Sequence, residues 1–248
     1  MYLLFIYLCI LNDRYDMKKF LYSLIFGAVL LASCSEQYLV SGSSNVEGLE
    51  GKMLYLRVFK DDEMLAIDSS RVVHGRFKFR GIMDAVMMAN VFLESNSVMP
   101  VVLESGDVNV RIDENSQSAT GTPLNDSLTN FIQRKSQIDA RMAELPHLEF
   151  QMISNGVDHE QVLAELGEQA RELEMENDKL ITRFIRANYN NVLGPGVFMI
   201  MTSGFQYPIL NPQIEEIISQ APPYFKNHPY VKEYMKAAES NMEKLRQY

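Results

Sequence analysis

The rhythm of apolar and polar positions changes twice along the chain and divides it into three regions. The first is apolar without a period: Met17 to Cys34 reads MKKFLYSLIFGAVLLASC, two lysines, an apolar run, then small residues closing on a cysteine. The run Phe20 to Ala32 holds 13 residues, short of the ~20 a bilayer core requires, so it reads as a secretory signal and not a membrane span. The second region alternates. Leu54, Leu56 and Val58 interleave with Tyr55 and Arg57, Phe77 and Phe79 with Arg76 and Lys78, and Val108, Val110 and Ile112 with Asn109 and Arg111. That is the period of half-buried strands. Ile67–Val73, Val86–Leu93 and Val98–Leu103 are apolar runs of strand length. His74-Gly75 predicts a tight hairpin with Gly75 at positive φ. Six or seven short strands with tight turns predict an antiparallel sandwich or open barrel.

The third region has helical spacing. Thr122-Pro123 predicts a helix start, with Thr122 as N-cap. Leu124, Leu128, Phe131, Ile138, Met142 and Leu145 follow at alternating steps of four and three, interrupted by Lys135, and Pro146 is expected to stop the helix. Past Asn155-Gly156, Asp158 is placed to cap a second helix with Val162, Leu166, Ala170, Leu173, Leu180 and Phe184 on one face and Asn177 interrupting it. Two such helices joined by a short loop are expected to pack antiparallel, as a long helix hairpin. Gly194-Pro195-Gly196 breaks the pattern, and Val197–Met201 is buried as strand or helix. Short helices are expected after Asn211-Pro212 and from His228-Pro229 to the end. The predicted fold class is therefore α+β, an N-terminal antiparallel β-sandwich or open barrel followed by a helical domain.

Leu31-Ala32-Ser33-Cys34 looks like a bacterial lipobox, with cleavage between Ser33 and Cys34 and a lipid on the Cys34 thiol. Residues 1–16 precede a complete signal, so Met17 is the expected start, with an unusually long signal as the alternative. The organisation predicted is a signal region at 1–33, a lipidated flexible tether at 34–44, an antiparallel β domain at 45–119 and a helical domain at 120–248. The tether, polar and Ser/Gly-rich, reaches at most roughly 35 Å. The protein is expected to be exported and held by lipid in the cell envelope, at the outer membrane, with the leaflet open.

Composition narrows the chemistry. The net charge is −9, and −10 from residue 34 onward. An acidic surface repels phosphate backbones and gives no grip on an anionic membrane, so no nucleic-acid partner is expected and the lipid must anchor. Only Cys9 and Cys34 carry sulfhydryls. With Cys34 acylated, no disulfide, redox pair or thiolate metal site remains. His74, His147, His159 and His228 show no metal-ligand spacing, and no serine-nucleophile or phosphate-loop motif occurs. No catalytic residue, metal or cofactor is predicted. The acidic outer face of the second helix (Glu168, Glu172, Glu174, Glu176, with Arg171) reads as a solvated surface. Phe198, Phe205, Tyr207, Pro208, Tyr224, Phe225 and Tyr230 could line a groove for a peptide or sugar. Packing of the C-terminal helices against the β domain is the plainer expectation.

Asp68-Ser69, then His74-Gly75-Arg76-Phe77-Lys78-Phe79-Arg80-Gly81, Leu103-Glu104-Ser105-Gly106-Asp107 and Gly121-Thr122-Pro123-Leu124-Asn125-Asp126, together with the lipobox, resemble domain of unknown function 4369 of Bacteroidetes envelope lipoproteins. The resemblance implies an N-terminal β-sheet domain and a helical segment, which longer members follow with a thioredoxin-like domain. The sequence stops at Tyr248, about where that domain would begin, and lacks Cys-x-x-Cys, so only lipidation of Cys34 carries over. Gly75, Gly81 and Gly106 are expected as turn glycines, and Thr122, Asn125 and Asp126 as helix-start residues. The function expected is a non-catalytic binding or accessory module with an envelope protein as partner. The alternatives are a cysteine-independent hydrolase using acidic residues and an accessory to a separate thioredoxin-like lipoprotein.

Overall fold

Eight strands, six α-helices and one 3-10 turn (Glu47–Leu49) follow one another in the computed structural model, which describes residues 36–60 and 63–246. Met17, Ser33 and Cys34 lie outside the described residues. The strands are β1 (Glu36–Ser44), β2 (Met53–Lys60), β3 (Glu63–Arg71), β4 (Arg76–Met83), β5 (Met87–Leu93), β6 (Asn96–Leu103), β7 (Gly106–Ile112) and β8 (Gln117–Thr120). They form two four-stranded sheets, ordered β4-β1-β7-β8 and β3-β2-β5-β6, with no closed barrel. The helices are α1 (Pro123–Ser154), α2 (His159–Ala187), α3 (Leu193–Thr202), α4 (Pro212–Ser219), α5 (Pro223–Lys226) and α6 (Pro229–Arg246). The architecture is α+β.

The alternating residues build the first core as their period requires: Leu54, Leu56, Phe79, Val91, Val101, Leu103 and Val108 are fully buried between the sheets. Val102, facing the other way on β6, joins a second core with Leu128, Phe131, Ile185, Leu193, Phe198 and Phe225 of the helices. Both faces of β6 are therefore covered, which accounts for its unbroken apolar run. From Gln37 onward strands and helices make one compact unit.

Residues 36–44, expected to be tether, are instead strand β1, with Tyr38, Val40 and Gly42 facing the core. Its Ser/Gly content hid the alternation, because the inward position at Gly42 is filled from the neighbouring strand. A Cβ on Gly42 would fall 2.1 Å from the Phe77 ring. The strand lies between β4 and β7 and runs parallel to β7, from Tyr38 opposite Gly106 to Ser44 opposite Ile112. The sandwich is thus not antiparallel throughout.

The His74-Gly75 turn joins β3 to β4 with both residues at positive φ, 52° and 66°. Val73 and Arg76 exchange backbone hydrogen bonds across it at 2.9 and 3.1 Å, the geometry of a two-residue hairpin. Glu50 clasps the turn from outside, its two carboxylate oxygens accepting from His74 N and Gly75 N at 2.9 Å each. β3 and β4 lie in different sheets, and side chains bridge them. Asp68 Oδ2 accepts from Arg80 N and Ser70 Oγ from Lys78 N, at 2.9 and 3.0 Å.

Helix α1 is fixed to the opposite edge of the sandwich, along β6 and β8, by a buried polar cluster. Thr122 occupies the N-cap position with Pro123 behind it, as predicted, but its side chain caps no backbone N–H. Glu104, at the end of β6, does this instead. One carboxylate oxygen accepts from Leu124 N at 3.0 Å, Asn125 N at 3.1 Å and Asn125 Nδ2 at 3.2 Å. Thr122 Oγ1 accepts from Asn125 Nδ2 at 2.9 Å. Asn125, fully buried, pairs with the outer edge of β6 as a neighbouring strand would. Its Oδ1 accepts from Val102 N at 2.9 Å and its Nδ2 donates to Val102 O at 2.8 Å. One turn on, Thr129 Oγ1 accepts from Ala119 N at 3.0 Å and donates to Ala119 O at 2.6 Å, on the outer edge of β8.

Two helix boundaries differ from expectation. Helix α1 continues through Pro146 to Ser154. The exposed proline sacrifices one backbone bond, and Met142, Leu145 and Leu148 remain half-buried on either side of it. Gly194-Pro195-Gly196 breaks away from α2 yet forms the buried first turn of α3, which carries Val197–Met201 as helix. Pro195 sits where a helix needs no N–H donor. A Cβ on Gly194 would lie 2.4 Å from Asn188 O, and one on Gly196 2.7 Å from Met88. Asp158 caps α2 through its side chain as predicted, and the side chain of Asn211 caps α4, the short helix expected after Asn211-Pro212. Phe131 stacks on Phe184 with ring centroids 4.3 Å apart, and Arg141 bonds Glu176, so α1 and α2 touch at two places along their length.

Asn125→Ala leaves the buried N–H and C=O of Val102 unpaired. It is expected to lower the unfolding free energy by about 2–4 kcal/mol, and Thr129→Val by about 1–3, with urea m-values unchanged in equilibrium denaturation. A second expectation concerns acid. The N–H groups of Gly75 and then His74 lower the Glu50 carboxyl below its ordinary value. A depressed folded pKa gives stability that is present above the unfolded value and lost as pH falls through the folded one. Glu50→Gln should therefore lose less stability than the parent between about pH 5 and pH 3, read by urea titrations across that range.

Candidate functional site

Chemistry-bearing residues are largely committed to the fold. Glu104, Glu50, Asp68 and Asp158 each hold backbone N–H groups. Asp126 Oδ1 accepts from Gly121 N at 3.0 Å. Of the turn glycines, Gly75, Gly106 and Gly121 have positive φ. Gly81 serves close approach instead, since a Cβ there would meet the Tyr38 hydroxyl at 2.5 Å. Among the described residues no group of three His, Cys, Asp or Glu side chains could hold a metal ion.

The four histidines are dispersed. His74 is in the β3–β4 turn, His147 bonds Gln151 on α1, His159 opens α2, and His228 precedes α6. Burial lowers the His228 pKa, and its Nδ1 is buried without a hydrogen-bond partner. Burial likewise raises Tyr38, Tyr189 and Tyr234, with Asp68 adding at Tyr38. Burial and then Glu174 raise Asp178.

The aromatic stretch packs. Phe198 and Phe225 are fully buried, Phe198 meets Phe225, Tyr230 and Tyr234, and Tyr230 reaches Phe59 of β2 with centroids 5.8 Å apart. These rings join the C-terminal helices to the β-sheet. Tyr207 and Tyr224 stay about half exposed.

Two recesses lie elsewhere. The first, about 510 Å³, opens where the outer edges of β6 and β8 face α1 and α3. Its walls include Val98, Met99 and Pro100 of β6, Gln117 and Ser118 of β8, Phe131, Ile132 and Lys135 of α1, and Met199, Ile200 and Ser203 at α3, with Met64 at the rim. Met64 and Ile200 are more than a third exposed. Lys135 and Asp139 neutralise one another at 2.8 Å, leaving the recess apolar and without net charge. Neither sheet edge invites a further strand here. Asn125 occupies Val102, Thr129 occupies Ala119, and Pro100, two residues before Val102 and so in the same backbone orientation, has no N–H to offer.

The second recess, about 590 Å³, lies between α1 and α2. Arg134, Gln137, Ile138 and Arg141 line it from α1, and Glu176, Lys179, Leu180, Arg183 and Phe184 from α2. Four cations and one carboxylate make it basic in an acidic chain. Sequence reasoning noted the charge on α2 but missed this cleft. The four basic residues come from two helices and meet only in the register that also pairs Phe131 with Phe184.

No helix of the described residues is long and apolar enough to cross a membrane. Neither a curated protein nor a solved structure matches the chain. Residues 38–128, from β1 into the first turns of α1, match the model described as "Domain of unknown function (DUF4369)", which spans the sandwich and the Glu104–Asn125 cluster. Over that segment the chain is similar to the DUF4369 family.

Proposed function

We propose that the protein is an envelope module anchored by a lipid on Cys34, which acts by binding an apolar segment of another envelope protein in the recess between the sheet edges and α3. The family itself is one of undefined activity. The observation that carries the reading is the recess, whose lining of Met64, Met99, Met199, Ile200 and Phe131 is apolar, uncharged on balance and open to solvent. Methionines from three separate elements adapt to varied shapes. The blocked sheet edges leave side-chain burial, and not strand pairing, as the mode of contact. The signal and lipobox supply the address. A membrane anchor and a neutral apolar groove suit a partner held in the same envelope, where the entropy of encounter is already reduced.

Two experiments test the two halves. Cys34→Ala should move the protein from the membrane fraction to the soluble fraction of its native cell, and mass spectrometry of the parent should find residue 34 acylated. An unmodified residue 34 overturns the anchor. For the groove, a photo-crosslinking residue at Ser203 should yield one discrete adduct in intact cells, which Ile200→Glu abolishes while the melting temperature is kept. The same adduct from a crosslinker at Glu172 on the outer face of α2, or an adduct indifferent to Ile200→Glu, overturns the groove.

A further inference from the structure

The cleft between α1 and α2 carries an inference independent of the groove. Its register is set at both ends. Phe131 stacks on Phe184 at one, and Arg141 bonds Glu176 at the other. Two turns back from Arg141 on α1 is Arg134, and two turns on from Glu176 on α2 is Arg183. The same alignment that places Arg141 against a carboxylate therefore places Arg134 against another guanidinium. Lys179 adds a third cation one turn from Arg183, on the same face. Arg134, Lys179 and Arg183 have no ion pair or hydrogen-bond partner among the described residues, although acidic residues outnumber basic ones in the chain by nine. Other basic groups nearby are neutralised: Lys135 by Asp139, Arg171 by Glu168, Arg186 by Glu216. Like charges aligned across a helix–helix seam repel, and Glu176, the carboxylate in the lining, is bonded to Arg141. The floor beneath is apolar, with Ile138 buried and Leu180 and Phe184 half-buried.

We propose that this cleft binds an organic phosphate, its doubly charged head between Arg134, Lys179 and Arg183 and its apolar body on Ile138, Leu180 and Phe184. Two guanidinium forks supply planar, bidentate donors that match phosphate oxygens, and the ammonium adds a compact point charge. A monocarboxylate would leave most of the positive charge unanswered. The volume of about 590 Å³ exceeds what inorganic phosphate needs and suits a small organic body. A lipid headgroup and a soluble phosphate ester share this chemistry.

The test is calorimetric titration of the purified full-length chain at low salt with phenyl phosphate, inorganic phosphate, phenol and soluble dihexanoyl phosphatidic acid. Phenyl phosphate should bind more tightly than inorganic phosphate, phenol should not bind, and affinity should fall as salt rises. Arg134→Gln and Arg183→Gln should each weaken binding at least about tenfold, as loss of a charged hydrogen bond does. Relief of the repulsion gives a readout that needs no ligand: Arg183→Gln should melt at a higher temperature than the parent at low salt, and should no longer respond to phenyl phosphate. Tighter binding of the phosphatidic acid than of phenyl phosphate assigns the head to a lipid, and the reverse assigns it to a soluble ester. Absence of saturable binding by every phosphate probe, binding that the two substitutions leave unchanged, or a melting temperature that falls in Arg183→Gln overturns the proposal.

Discussion

A single carboxylate at the end of β6 decides how the two halves of the molecule are joined. Glu104 is 8% exposed and spends one oxygen on three donors at the start of α1. A helix presents free N–H groups at its N-terminus together with partial positive charge, and a buried start without an acceptor would be costly. By supplying that acceptor from the sheet and not from the residue before the helix, the fold makes α1 dependent on β6. Asn125 can then face Val102, and Thr129, one turn later, falls on Ala119. One helix face thereby meets one open edge of each sheet, at Val102 of β6 and Ala119 of β8. Along the other edge of the two sheets Asp68 and Ser70 perform the related service for β4. Side chains replace the backbone pairing that closure of a barrel would have provided, and edges treated this way do not recruit foreign strands.

The short phrases that resemble the family are explained by this wiring. Asp68 bridges β3 to β4, the glycines of the hairpin and of β4 make room for a turn and for Tyr38, Glu104 receives the helix, and Gly121 to Asp126 supplies the parts it receives. A Cβ at Gly121, whose φ is +100°, would lie 2.6 Å from Asp107 O. These motifs specify the joint between sandwich and helices. Ligand recognition, on both proposals made here, uses residues outside them.

Strands such as β2, β4 and β7 were legible because each keeps one face apolar at every second residue, and the His74-Gly75 turn because two positive φ values in succession leave few sequence solutions. β1 was not legible, since one of its inward positions is a glycine whose space belongs to Phe77. Pro146 was misread because a proline on the exposed side of a helix loses only one bond while burial on the other side continues. Glu104 gave no sign of being a cap, because it lies twenty residues before the helix it serves. The basic cleft was hidden for a related reason. Arg134 and Arg183 are unremarkable surface residues until the helix register sets one beside the other. The groove draws its lining from Met64 to Ser203, a spread no local pattern can reveal.

β1 is the first described element to be synthesised, yet it lies in the interior of its sheet, and its parallel partner β7 arrives about 70 residues later. Such a pairing closes a long loop before any contact rewards it, which slows folding. The opening segment must therefore wait, unpaired on at least one side, until most of the sandwich has been made. The interior strand of that sheet is thus made first and enclosed on both sides only after β7 arrives.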